Sequence, residues 1–500
     1  MEIPLPSPRQ PRSFLGKFFR TLALALFLLI GLFLLVITFE SWRGTRKWYQ
    51  YKKELEARGE NLDLLATAPP PVPDEKNFAC HPLIARMFLR TIPPDEDPQW
   101  IIPKPARAAP NYEKTSDGPG FRRNDLRTQL KRWSDYYQGH PLFPQASTNA
   151  TPAEVVRTAL SLYDPQIREL LQAMKERPQC HYPLRYHDGP MMLLPHLAHM
   201  KGLVTVLQLR TLADLHLGHA DKAFEELKLG FFINDTLDTD PLLINLMVKI
   251  ALDKILWDVV CEGIGLQAWK ETHLAWFVDY LAGRNYLAAY LTSMRTERNF
   301  SVLIIENLVR GRIREIFAED IGGGGERALR WMPKGIFYHN LYHVVSVHQN
   351  YVLKSVDLEK RMVDKDQALH FDHAVHNMGA SPYTIFARLL LPALNKAVLK
   401  TAHWQTLGDA TMIACAAERY RLANNQWPAK LEDLVPRYLP FLPKDVVNGQ
   451  PFVYKINGPD SILIYTFGWD EWDNKGVSET KIERGDWGME IAPASQTTKR

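Results

Sequence analysis

Cysteine is scarce in this chain: Cys80, Cys180, Cys261 and Cys415 are its four, and no CxxC pair occurs. That excludes a scaffold built on disulfides. The nucleophile-elbow pattern GxSxG, the phosphate-binding GxxxxGKS/T and the dinucleotide-binding GxGxxG are all missing. Neither sign of charge dominates, since 60 Lys and Arg face 56 Asp and Glu for a net charge of +4. No basic stripe alternates with aromatics, so a nucleic-acid surface is not indicated. Acid pairs such as Glu225-Glu226 fall mid-helix beside Lys222 and Lys228, where ion pairing along the helix accounts for them.

What the chain does have is one long hydrophobic run. Residues 21–39 read TLALALFLLIGLFLLVITF, without a charge. As a helix this run spans about 28 Å, close to the hydrocarbon core of a bilayer. Trp42, Trp48, Tyr49 and Tyr51 follow it, where amphipathic rings favour the headgroup zone. A cleaved signal peptide would be shorter and end in small residues, whereas this run ends in ITFESWRG. The run is therefore expected to be an uncleaved single-pass anchor. Lys and Arg before it (Arg9, Arg12, Lys17, Arg20) nearly balance those after it (Arg43, Arg46, Lys47, Lys52, Lys53). A short tail ahead of a long body favours translocation of the body out of the cytoplasm.

At 500 residues, two or three folding units are expected. The expected fold class is mainly α: an N-terminal transmembrane helix, an irregular antiparallel helical (tetratricopeptide-like) body and a small C-terminal α+β module. Residues 1–20 form a tail, 21–39 the membrane helix and 40–79 a charged stalk with a Pro-rich linker. Residues 80–405 form the helical domain and 406–500 the C-terminal module. Thr151 before Pro152 reads as a helix start, and Gly218, Asp240-Pro241 and residues 263–265 as helix breaks. The segment LADLHLGHADKAFEELKLGFFIND has the look of one tetratricopeptide hairpin turned at Gly218, with no second copy after it. The glycines of IGGGGER, at 321–327, lack the Lys-Ser/Thr of a phosphate cradle and read as a connector. Near the end, VYKI and ILIYTF flank Asn457-Gly458-Pro459-Asp460, a hairpin signal.

The run AAERYRLANNQWP, LEDLVPRYLP, NGQPFVYK and ILIYTFGWDEWDNKG resembles the globular part of type II secretion pseudopilins. The resemblance covers under a fifth of the chain and implies the small fold. It does not imply fibre assembly, because the module follows about 380 unrelated residues and the N-terminal run has no prepilin-type cleavage sequence. Pseudopilins of this type can bind calcium in the loop after the last strand, which implies Asp470, Glu471, Asp473 and Asn474 as ligands here. Glu483 or Asp486 would complete the set, since hard cations want six to eight oxygens. The alternative is a solvated acidic turn. With CHYPLRYHDGPMMLLPHLAHMKGL as its main carrier, the whole chain resembles large single-pass envelope proteins of Verrucomicrobia and Planctomycetes.

Histidines supply the remaining candidates. His339 and His343 share a helix face, with His348 nearby, and His370, His373 and His376 recur at helical spacing. Imidazoles so placed bind zinc if a further ligand converges, but HNLYH has Asn340 where a metalloprotease motif needs Glu. Cys80-His81 and Cys180-His181 are a second constellation. A Cys80–Cys180 disulfide, a zinc site and free thiols all remain open there. These features suggest a non-enzymatic envelope protein that binds an envelope protein partner, with no obligatory cofactor. The rival is a metal-dependent hydrolase using one of the histidine clusters.

Overall fold

The computed structural model of the chain describes residues 14–88, 121–123, 127–312, 329–394, 396–477, 479 and 481–492. The tail before residue 14, most of the Pro-rich segment after residue 88 and the 321–327 connector lie outside them. The chain is mainly helical, with one long apolar N-terminal helix and a small C-terminal sheet. Among the described residues the α-helices longer than one turn are α1 (Phe14–Ala57), α2 (Arg127–Tyr137), α3 (Pro152–Ala159), α4 (Asp164–Glu176), α5 (Pro195–His216) and α6 (Ala220–Asp235). Then come α7 (Leu243–Gly265), α8 (Glu271–Ala282), α9 (Tyr286–Val309), α10 (Lys334–Val347), α11 (Lys365–His376), α12 (Ile385–Leu390) and α13 (Ala397–Asn424). The strands are β1 (Phe121–Arg123), β2 (Val356–Asp357), β3 (Met362–Val363), β4 (Val453–Gly458), β5 (Ser461–Thr466) and β6 (Trp487–Ile491).

Two compact units divide the chain, and each draws on separated stretches. One comprises Met1–Leu62, Ser301–Ser346 and Met378–Leu390; the other comprises Asp63–Phe300, Val347–Asn377 and Leu391–Arg500. This differs from the expected succession of stalk, body and C-terminal module, because partners far apart in sequence define each unit.

In the first unit α1 runs unbroken for 44 residues. Its apolar part has a mean hydropathy of 3.0 over 18 residues, none of it buried. Beyond Glu40 the helix changes character. Gly44, Trp48 and Leu55 are buried and Tyr51 is half-buried, a stripe spaced by three and four residues. The stripe packs on α10: Tyr51 meets Tyr342 with ring centroids 5.0 Å apart, and Tyr49 meets Tyr338 at 5.6 Å. The segment read as a charged stalk is thus half core. Asn340 holds α12 to α10 by donating to the Pro382 carbonyl at 2.8 Å and accepting from the Phe386 amide at 2.9 Å.

The second unit begins its helical layer with α3. Thr151 accepts from the Glu154 amide at 3.3 Å, while Glu154 accepts from the Thr151 amide at 2.6 Å, a capping box that also places Pro152 at the first helical position. α5 and α6 form a hairpin turned at Gly218, where φ is +78°. The helices that follow have 23, 12 and 24 residues, too unequal for one repeated unit. α7 is mostly buried, with the Lys254–Asp258 pair on its narrow exposed side.

The expected hairpin is present, with β4 and β5 antiparallel and Tyr454 opposite Ile464. β6 adds antiparallel to β5, and β1 lies parallel to β6, giving the order β1-β6-β5-β4. Every residue of β5 is buried, and α13 covers β5 and β6. The small residues Gly408, Ala410, Ala414, Ala416 and Ala417 let neighbouring elements approach α13 closely. A Cβ on Gly408 would stand only 3.0 Å from the Trp257 ring.

Candidate functional site

A polar cleft lies inside the second unit, where the α6–α7 connection meets the turn from α8 to α9. Its cavity has a volume of about 290 Å³ and is lined in part by Asp238, Asp240, Lys249, Arg284, Asn285 and Tyr286. The local sequence explains the convergence. Asp235 ends α6, Asp238 sits in the short turn after it, and Asp240-Pro241 blocks the helix from continuing. Lys249 and Asp253 stand one turn apart on α7, while Arg284 occupies the α8–α9 turn just before Tyr286.

Two cations share two carboxylates here. The Lys249 ammonium lies 3.1 Å from both Asp235 and Asp238. Arg284 donates to the same pair, and its guanidinium lies 3.9 Å over the Tyr280 ring. Tyr280 also donates to Asp235, at 2.9 Å. Asp240 and Asp253 are left to hydroxyls, with Tyr186 donating to Asp240 at 2.7 Å and Tyr286 to Asp253. The second oxygen of each is buried without a hydrogen-bond partner among the described residues. Burial pushes the Asp240 carboxyl up to about 6, against the Tyr186 hydrogen bond that favours the anion. Burial also raises Asp253, against the pull of Lys249 and Arg284. Asp240 can therefore exchange a proton around pH 6, and the cleft offers polar walls to a small solute.

This makes stability sensitive to pH at Asp240. A carboxyl with its folded value above its unfolded one stabilises fully below about 3.8, and that contribution is lost as pH rises through about 6. Asp240→Asn is uncharged throughout. It is expected to exceed the wild type in stability above about pH 6, by up to about 3 kcal/mol, and to match it near pH 4. Urea unfolding of both proteins at the two pH values checks this; the same difference at each would refute titration of Asp240 in the folded chain.

The loop implied as a calcium site is closed on its own amides. Asp470 accepts from the amides of Trp472 at 3.2 Å and Gly485 at 2.9 Å. Asp473 accepts from the Tyr465 hydroxyl at 3.1 Å and the Lys475 amide at 2.8 Å, while Glu471 pairs with Lys365 at 2.7 Å. The amide of Asn474 donates to Asp486 at 3.2 Å, and that of Gly476 donates to its other oxygen at 2.6 Å. Glu483 pairs with Lys396 at 3.1 Å. Burial lifts Asp486 to about 6, helped by the nearby charges of Asp473 and Asp470. Asp470, Asp473, Asn474 and Asp486 share one loop network, and Glu471 and Glu483 each turn to a lysine.

Cys80 and Cys180 lie on adjoining segments, and both thiols are free. The Phe78 amide donates to the Gln179 carbonyl at 2.7 Å, and the Asn77 side chain bonds both backbone groups of His181. Cys80 is exposed and 3.5 Å from Asp74, whereas burial pushes the Cys180 thiol up to about 12. Cys261 and Cys415 are buried, as their apolar surroundings predict.

The histidines separate. His339 stands 3.8 Å from Glu40 and edge-on to Tyr383. Burial lowers both His339 and His343, with Arg43 and Lys47 adding to the first and Lys47 to the second. His348 is fully buried and pushed down to about 3. His370, His373 and His376 are exposed on α11. Among the described residues no three His, Cys, Asp or Glu side chains are placed to hold a metal ion.

Sequence reading missed the cleft, having taken Asp240-Pro241 only as a break. One signal was present. Lys249 and Asp253 are charges inside a predominantly apolar helix, and such charges need partners when buried. No protein-family model, curated protein or solved structure matches the chain.

Proposed function

We propose that this chain is a single-pass membrane protein of the bacterial envelope. Its helical body and pseudopilin-like cap, held in the periplasm, bind a protein partner without transforming it. The observation that carries the reading is α1, whose 18-residue window of mean hydropathy 3.0 buries nothing. Leu and Phe side chains there are about half or more exposed. Transfer of each into a bilayer gains roughly 1.5–3 kcal/mol, so water is the wrong solvent for this segment. The exposed Trp42 and Tyr49 just beyond it suit the interface. The polar cleft of the body, with Lys249 and Arg284 already paired to Asp235 and Asp238, supports binding over charge chemistry.

The full chain is expected to stay in the membrane pellet after alkaline carbonate washing, with residues 14–39 retained in its intact mass. A mature amino terminus near residue 40 would identify a cleaved signal instead. Orientation is readable without substitution, because Cys80 is exposed while Cys180, Cys261 and Cys415 are buried. After mild reduction, a membrane-impermeant maleimide applied to spheroplasts labels Cys80 if the body lies outside the cytoplasm. Labelling only after lysis would invert the topology.

A further inference from the structure

Where α1 leaves its apolar part, its backbone touches that of α10. A Cβ on Gly335 would lie 2.1 Å from the Glu40 carbonyl oxygen, and one on Gly44 would lie 2.3 Å from the Gly335 carbonyl oxygen. Only two glycines permit so close a crossing. It sets Lys334, the first residue of α10, beside the stretch of α1 that follows Phe39. An open groove of about 480 Å³ results, lined by Ser41, Trp42, Thr45, Arg46 and Tyr49 of α1 together with Lys334. We propose that this groove binds the headgroup of an anionic phospholipid.

Position is the first argument. The groove residues from Ser41 to Arg46 lie about 3 to 10 Å along the helix beyond Phe39, the depth of the headgroup layer if the apolar part fills the hydrocarbon core. The inference rests on the membrane reading in that respect. Charge is the second argument. The lining carries two cations and no carboxylate. Three other cations of this unit have acid partners, Arg43 with Glu40 at 2.7 Å, Lys52 with Glu306 at 3.9 Å and Arg310 with Glu306 at 3.0 Å, and Lys47 lies 3.7 Å over the Tyr342 ring. Arg46 and Lys334 have no ion-pair partner among the described residues. Arg46 instead stacks 5.3 Å over the Trp42 ring. A phosphodiester would supply the missing charge, and the guanidinium can bind it through two hydrogen bonds.

Aromatic placement is the third argument. Trp42 is 55% exposed and Tyr49 52%, and Trp331, three residues before Lys334, is 86% exposed. Rings so exposed are costly in water and favourable at a lipid interface. The groove thus joins the aliphatic surface of α1 at one end and offers cations at the other, which matches an acyl chain continuous with an anionic head. Free phosphate would satisfy the cations alone and leave the rings exposed.

The test uses the full chain in bilayers of phosphatidylcholine containing, at equal fraction, either bromine-labelled phosphatidylglycerol or bromine-labelled phosphatidylcholine. Bromine quenches nearby tryptophans, here Trp42 and Trp331. Phosphatidylglycerol is expected to quench more strongly, and the preference should persist in phosphate buffer. Arg46→Gln with Lys334→Gln should lower it to near parity, with each change worth about fivefold in apparent lipid affinity. Lys53→Gln, outside the groove, serves as the control and should leave the preference intact. Equal quenching by the two lipids in a chain that still resists carbonate extraction would overturn the headgroup site and leave the anchor standing. Loss of the preference in phosphate buffer would reassign the site to free phosphate. A chain that fails to enter bilayers at all would overturn both readings.

Discussion

Arg210→Ala is expected to lower the unfolding free energy by about 3–5 kcal/mol, because it orphans a buried carboxylate. Arg210 is almost wholly buried on α5. It donates to both oxygens of Glu226 on α6 at 2.7 and 2.6 Å, to the Leu160 carbonyl at 2.6 Å, and lies 2.7 Å from Asp164 of α4. Asp164 keeps access to water and to Arg157 at 3.1 Å, so it tolerates the loss. Glu226 has only 5% of its side chain exposed and no such refuge. The size of the effect measures the stranded charge, not the worth of the pair. Replacing both partners with apolar residues of similar volume, Arg210→Met with Glu226→Leu, should therefore recover most of the lost stability. Urea unfolding of the full chain in detergent, followed by circular dichroism, measures both variants. A single variant costing under about 1 kcal/mol would show that water reaches Glu226.

Trp257→Ala should cost a similar amount, about 3–5 kcal/mol, by opening a cavity that its surroundings cannot close. The indole is fully buried, with its ring 5.9 Å from Trp404 and 6.1 Å from Tyr286. Gly408 faces it so closely that an added methyl group would have to push the ring back by a few tenths of an ångström. Gly408→Ala alone is then destabilising through overpacking, by about 1–3 kcal/mol. In the Trp257→Ala background the same methyl group enters empty space. The two changes should couple by more than about 1 kcal/mol, with the double variant more stable than the sum of the singles. Strict additivity in a double-mutant cycle would mean that α7 and α13 do not meet through this pair.

What the sequence made legible was mostly local. The Thr151 cap, the Pro152 helix start and the Gly218 turn are each decided within a few residues, and each is present. The β4–β5 hairpin announced itself through two β-rich runs and an Asn-Gly turn. β6 did not, because WGMEI is short and carries Gly488 as its second residue. That glycine is required by the partner strand: a Cβ there would lie 2.1 Å from the Ile464 carbonyl oxygen. The three-residue β1 was equally silent, since its strand character comes only from pairing with residues far along the chain. The loop from Asp470 to Asn474 was visible as an acidic cluster, but not the amides that those carboxylates accept from. The cleft around Asp240 joins residues of four helices and their connections, and no window of sequence contains it. Trp48 and Leu55, seven apart in a charged segment, were a readable stripe taken for the face of a stalk.

The crossing of Gly44 and Gly335 has a consequence for how the protein is made. Some 290 residues separate the two glycines. At about 5–20 residues per second the ribosome needs about 15 to 60 s to travel that distance. On the membrane reading proposed above, Trp48 and Leu55 would wait beside the inserted part of α1 for that interval, with their partner helix not yet synthesised. The first unit must then close by a long-range encounter, of the kind that folds slowly and exposes apolar surface meanwhile. Completion of the first unit therefore falls late in synthesis, after the α1 stripe has stood without α10 for nearly 300 residues of chain.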